Sequence, residues 1–282
     1  MKASSIYYTD DKTNSRLTFG GMLASHSGVF SDEQVEFYSR SENRGRIPEL
    51  LSRASLIGRD QCLALTTSAE TGGLSMKIPP ELAKHWEGRW KTVYGTKADF
   101  AEMLIPKQPT LFKARFVAMH EKGNSSEFLY RANEKLMAGS CTHWKFSGDK
   151  SLDETVPKHN FVGTFGCWVA DADEAPFGNF GGINLSTRAV RELGVQFGFR
   201  TTTLPVRLVL GADVFLEGDS KKQLDRSVVT MCAESETADG DVPDVSWDGG
   251  EVRVNDWDLD DADGLVRFRP AVYLKPSPLL PS

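Results

Sequence analysis

Apolar and polar positions along the chain recur with two periods, and the period of two predominates. Leu17, Phe19, Gly21 and Leu23 alternate with Thr18, Gly20, Met22 and Ala24, which predicts a strand with a glycine-softened centre. Thr110–Met119 repeats the pattern, with Phe112, Ala114, Phe116 and Ala118 on one face and Lys113 and Arg115 on the other. Leu204–Leu216 shows the clearest alternation: Val206, Leu208, Leu210, Ala212, Val214 and Leu216 share a face, predicting a long strand with a bulge or bend at Gly211. Shorter strands are predicted at 61–67, 142–146, 161–170, 227–232 and 265–274.

The helical period is rarer. Ile47, Leu50, Leu51, Ala54 and Ile57 form one stripe, with Pro48 in the first turn and Gly58 at the end. Pro79–Tyr94 places Leu82, Trp86, Trp90 and Val93 on a second stripe, interrupted at Gly88, with Lys84, Arg89 and Lys91 facing water. Thr96–Leu104 reads as a further short helix capped by Thr96, and Ser186 caps another that Gly194 ends. Residues 128–137 fit either period. Strands thus outnumber helices, without repeats, linkers or the regular alternation that a doubly wound sheet needs. The expected fold is α+β: a strand-rich single domain over 1–282, with an RRM or ferredoxin-like core and β elaborations as the finer reading.

Composition adjusts this picture in three places. A chain of 282 residues can bury a large core, and no window reaches the apolar length of a membrane span, so a cytoplasmic protein with no membrane partner is expected. Cys62, Cys141, Cys167 and Cys232 lie far apart in sequence, which suits buried thiols better than a disulfide framework. The net charge of −6 is unevenly spread: between Glu234 and Asp263 twelve acidic residues face Arg253 alone, a balance of −11 that leaves the rest of the chain at +5. That segment, about 234–263, is expected to be an acidic insertion with a solvated loop at Leu259–Gly264, and the remainder is open to a polyanionic partner.

Most site chemistries fail on spacing. Cys141, His143, His159 and Cys167 match no compact zinc arrangement, and no metal ligand is assigned. There is no G-x-S-x-G elbow, no phosphate loop and no dinucleotide fingerprint, so no catalytic residue and no cofactor is assigned. The run LDDADG (Leu259–Gly264) lacks the first carboxylate and the closing glutamate of a calcium loop. KHWEGRWKTVY (Lys84–Tyr94) and GVQFGFR (Gly194–Arg200) interleave aromatic with basic residues, a composition that stacks bases in some proteins and packs a core in others. Arginine carries the sharpest signal. Arg40, Arg44, Arg46, Arg53 and Arg59 cluster around the first helix, and Lys113 with Arg115, and Arg267 with Arg269, are expected to project from single strand faces. Planar, bidentate guanidinium groups suit phosphate contacts. The alternative is a solvated face on which they pair with Glu33, Glu36, Glu42 and Glu49.

The stretch Arg16–Asp60, with its strand ending in small residues (FGGMLASHSG) and its R-G-x-x entry to a helix (RGRIPELLSR), resembles the N-terminal unit of CRISPR backbone subunits in the RAMP superfamily. The resemblance implies an RRM-like sheet whose loop and helix-start residues grip a guide RNA backbone. By position it implicates Ser25, His26, Arg44 and Arg46, with Asp32 nearest to the loop aspartate by which some relatives cut RNA. The expected function is a non-catalytic subunit that binds single-stranded RNA among other protein subunits, with self-assembly open. Two alternatives stand beside it: a structural or interaction protein, such as a virion component or defence inhibitor, and a hydrolase with a spatially assembled site at His143 or His159.

Overall fold

The structure is a computed structural model, and it describes residues 75–109, 114–170, 179–180, 183–184, 186–188, 190–191, 200–218, 229–248, 250–261 and 266–274. All of these belong to one compact unit, Thr67–Ser282. The expected elements before Ser75, and the residues Ser25, His26, Arg40, Arg44, Arg46, Arg53 and Lys113, lie outside the described residues.

The architecture is α+β. Five strands make a mixed sheet in the order β14 (Val266–Phe268), β10 (Val229–Met231), β12 (Val242–Asp248), β13 (Glu251–Trp257), β4 (Thr142–Lys145). Four more make an antiparallel sheet in the order β3 (Ala114–Met119), β6 (Phe165–Ala170), β15 (Pro270–Tyr273), β9 (Arg200–Thr201). Two-strand ribbons pair β1 (Ser75–Lys77) with β2 (Leu104–Pro106), β5 (Lys158–His159) with β11 (Ser235–Glu236), and β7 (Asn179–Phe180) with β8 (Ile183–Asn184). The helices are α1 (Pro80–Tyr94), α2 (Ser126–Leu136), α3 (Leu152–Thr155) and α4 (Leu204–Leu216).

The expected strand Leu204–Leu216 is the central helix. Thr203 caps it by accepting the Val206 N–H, and Pro205 sits in its first turn, where a missing N–H costs nothing. Every residue from Leu204 to Leu210 is buried, on both alternating sets. Apolar residues are buried on every side of this helix, with Arg207 and Asp213 buried among them, so alternation carries no information there, and the length of thirteen residues favours helix. α4 packs on α2 and also touches β3 and β12, one strand from each large sheet.

The acidic segment holds the hairpin β12–β13, paired over seven positions from Val242↔Trp257 to Asp248↔Glu251. Val245 and Val254 are buried against the core, and Asp244 is buried too. Gly250, at φ 95°, supplies the turn conformation that side chains resist.

α1 runs as expected, with Trp86 and Trp90 buried and Gly88 facing open space. Gly95 ends it in the left-handed conformation, its N–H on the Trp90 carbonyl. The helix expected at 96–104 is absent: Thr96 bonds back to the Tyr94 carbonyl, Ala98 and Phe100 turn into the core, and the Phe100 N–H donates to Glu87 Oε1. Arg89 does not simply face water either, since its Nε donates to Asp213 Oδ1 of α4 at 2.6 Å. The strand expected at 265–274 is two strands in two sheets. Arg269 lies buried at the switch, donating to Thr230 Oγ1 of one sheet and to the Ala170 carbonyl of the other.

Candidate functional site

The ribbon β5–β11 sets Lys158 opposite Glu236 and His159 opposite Ser235. Ser235 and Glu236 are neighbours on β11 and project to opposite sides of it, and Glu234, in the turn just before β11, joins Glu236 in lining one cleft. On the glutamate side, β9 and the helical residues Val190 and Arg191 complete a cleft of about 240 Å³. Lys158 Nζ donates to Glu236 Oε1 at 2.5 Å. Arg191 is anchored by main-chain carbonyls, Nε to Ala233 O (2.7 Å) and Nη2 to Ser235 O (2.9 Å), and reaches Glu236 Oε2 at 3.4 Å. The Lys158 hydrogen bond, with the charges of Lys158 and Arg191, holds the Glu236 carboxyl below the usual range against the opposing effect of burial. Glu234, only 7% exposed, accepts the Asn160 amide at 2.7 Å and a longer contact from Arg200 at 3.4 Å.

On the other side of β11, the Ser235 hydroxyl oxygen accepts the Leu204 N–H at 2.8 Å and lies 2.8 Å from His159 Nδ1, while His159 Nε2 lies 3.2 Å from Ser126 Oγ. One assignment satisfies all four groups: Ser235 donates to Nδ1, and a protonated Nε2 donates to Ser126. Both serines are fully buried, so this pairing joins the starts of α2 and α4 and offers no nucleophile to a substrate. Burial pushes His159 down to about 4, with Asp153 acting weakly the other way.

A pH dependence follows. The unfolded chain takes up the His159 proton near 6.5 and the folded one near 4, so stability is full above pH 6.5 and declines as pH falls toward 4. Urea unfolding at pH 7.5 and pH 4.5 should differ by roughly 2–3 kcal/mol more in the wild type than in His159→Gln. Equal pH slopes in the two proteins would refute this role for His159.

His143, on β4, meets Tyr130 edge-on, and Cys141 Sγ lies 3.9 Å from its Nδ1. Burial lowers the His143 pKa and raises those of Cys141 and Cys167. Cys167 is enclosed in β6 and His159 sits on β5, and among the described residues no three His, Cys, Asp or Glu side chains gather as a metal site. Of the basic residues singled out in the sequence, Arg115 is ion-paired with Glu217 at 2.6 Å. Other described arginines are committed similarly: Arg89 to Asp213, Arg131 to Glu127, Arg188 to Asp260 and Arg253 to Asp248, all at 2.5–2.8 Å. Trp86 and Trp90 serve the core and leave no face for a base.

Sequence reasoning passed over Trp144. It lies on β4, the outer strand of the five-stranded sheet, and is 44% exposed. Its cross-strand neighbour is Arg253, and Asn255 follows on the same face of β13. The alternation Thr142, Trp144 against His143, Lys145 was the available signal.

In comparison with known proteins, no family model, no curated protein and no solved structure matches the chain. Among the described residues no helix is long and apolar enough to cross a membrane.

Proposed function

We propose that this chain is a non-catalytic subunit that binds single-stranded RNA within a protein assembly, using an open sheet face in the manner of an RRM. The exposed indole of Trp144 supports the reading. A half-exposed tryptophan on a sheet strand, with Asn255 on the same face and Arg253 opposite it engaged by Asp248 and Glu251, offers an aromatic surface on which an unpaired base can stack. Phosphate contacts fall to Arg40, Arg44, Arg46 and Arg53 in the stretch that resembles the RAMP subunits, because most described arginines are neutralised by carboxylates of their own chain.

Anisotropy of a labelled single-stranded RNA should report binding that weakens steeply from 50 to 200 mM salt. Trp144→Ala should reduce affinity by about 1–3 kcal/mol without loss of fold, the indole being half outside the core. Absence of salt-sensitive binding by the wild type would end the proposal. The pairing of arginines with internal carboxylates favours a second reading, an interaction protein acting through protein contacts. That reading gains if RNA does not bind while Trp144→Ala shifts the sedimentation of a self-assembled species.

A further inference from the structure

We infer that the cleft between β5, β9 and β11 is a binding site for a small zwitterion of α-amino-acid size, separate from the RNA-binding face. Its volume, about 240 Å³, suits a ligand of a few heavy atoms rather than a polymer segment. Its polar lining carries both signs: Lys158, Arg191 and Arg200 against Glu234 and Glu236, with the Asn160 amide between. A purely anionic ligand would meet two carboxylates there, and a purely cationic one three cations. A ligand with a carboxylate and an ammonium a few ångströms apart is complementary to the whole lining.

The charges also have capacity to spare. Arg191 and Arg200 both approach their carboxylates at 3.4 Å, longer than the 2.7–2.9 Å of a well-formed charge-assisted bond. Arg200 is 49% exposed and Lys158 67% exposed, so each can turn toward a ligand carboxylate, and an exposed pair such as Lys158–Glu236 is weakly held. Glu234 is the fixed end. It is nearly sealed in the cleft wall, accepting from the Asn160 amide and, at 3.4 Å, from the Thr201 N–H and Arg200, so a ligand ammonium would add the close cation it lacks. The Arg191 guanidinium, held by the Ala233 and Ser235 carbonyls, fixes the main chain that carries Glu234 and Glu236 whether or not a ligand is bound.

Isothermal titration of the full chain with the standard α-amino acids, pooled and then singly, tests the assignment, with acetate, inorganic phosphate and methylamine as single-charge probes. At least one amino acid should bind saturably at one per chain in the millimolar range or tighter, and the single-charge probes should not. Arg200→Gln and Glu236→Gln should each weaken that binding at least tenfold, with unchanged circular dichroism and unchanged RNA affinity; both side chains reach solvent, so folding should survive. No saturable binding of any amino acid, phosphate binding as tight as theirs, or full affinity in both variants would overturn the proposal. Because the RNA measurement is separate, either reading can fail without the other.

Discussion

Replacing Trp90 with alanine is expected to destabilise the unit by about 3–5 kcal/mol, the range for removing a large enclosed aromatic. Trp90 is fully buried, its ring 4.5 Å from that of Tyr94 and 5.5 Å from that of His120. Its indole N–H donates to the Ala118 carbonyl at 2.8 Å, tying α1 to β3. The packing on its far side is so close that a Cβ on Gly123 would fall 2.9 Å from Trp90 Cη2 and from Met119 Cε. Neighbours fixed in two helices and a sheet cannot collapse into the vacated space, so the cavity persists and adds to the lost burial. Urea unfolding measures the effect. Trp90→Phe, which keeps much of the volume but removes the N–H, should fall between wild type and Trp90→Ala. A loss below about 1.5 kcal/mol for the alanine variant would mean that the site relaxes far more than its packing implies.

Lys145→Met carries the second large effect, about 3 kcal/mol. Lys145 is almost fully buried, with Nζ donating to Glu127 Oε2 at 2.7 Å and to the Lys150 carbonyl at 2.6 Å. Glu127 also accepts the Leu152 N–H at 2.8 Å and Arg131 Nε at 2.8 Å, so one carboxylate joins α2, β4 and the start of α3. Burial pushes the Glu127 carboxyl up, but the Lys145 hydrogen bond and charge, the Leu152 N–H and Arg131 together outweigh it and hold it below the usual range. A group depressed in the fold stabilises above its unfolded pKa, and that contribution fades as pH falls through the folded value. Lys145→Met should therefore cost most at neutral pH and less in acid. The double variant Glu127→Gln with Lys145→Met should recover part of the loss, because the penalty comes largely from a carboxylate left without its cation. Additive losses in the double variant would contradict that account.

The same residues show how far local pattern reaches. The stripe Leu82–Trp86–Trp90–Val93 was legible as α1 because it contrasts with the charged residues Lys84, Arg89 and Lys91 between its members. β4, β6 and β10 were legible from alternation. α4 was not, since a helix enclosed on every side erases the contrast from which period is read. The hairpin β12–β13 was present in the pattern, with Val245 and Trp247 against Ser246 and Asp248, and Val252 and Val254 against Glu251 and Arg253. The count of acidic residues obscured it, although charge on one face of a strand is compatible with a buried opposite face.

The candidate sites divide in the same way. Arginines were visible as residues, but whether each guanidinium is available or neutralised depends on carboxylates far off in sequence, such as Asp213 for Arg89 and Glu217 for Arg115. The cleft draws Lys158, Arg191, Arg200 and Glu234 from four separate segments, and no spacing rule links them. Trp144 looks in sequence like any strand tryptophan. Only its place on the outermost strand of the sheet leaves it open to solvent.

By itself, then, the sequence determined the α+β class, the amphipathic helix α1 and the strands with one wet face, because those depend on contrasts between neighbouring residues. The tertiary structure decided the helical state of α4, the sheet switch at buried Arg269, the burial of both serines beside His159 and the pairing of charges across the cleft. Each of those depends on what long-range packing brings against a residue, and a local pattern of apolar and polar positions does not contain it.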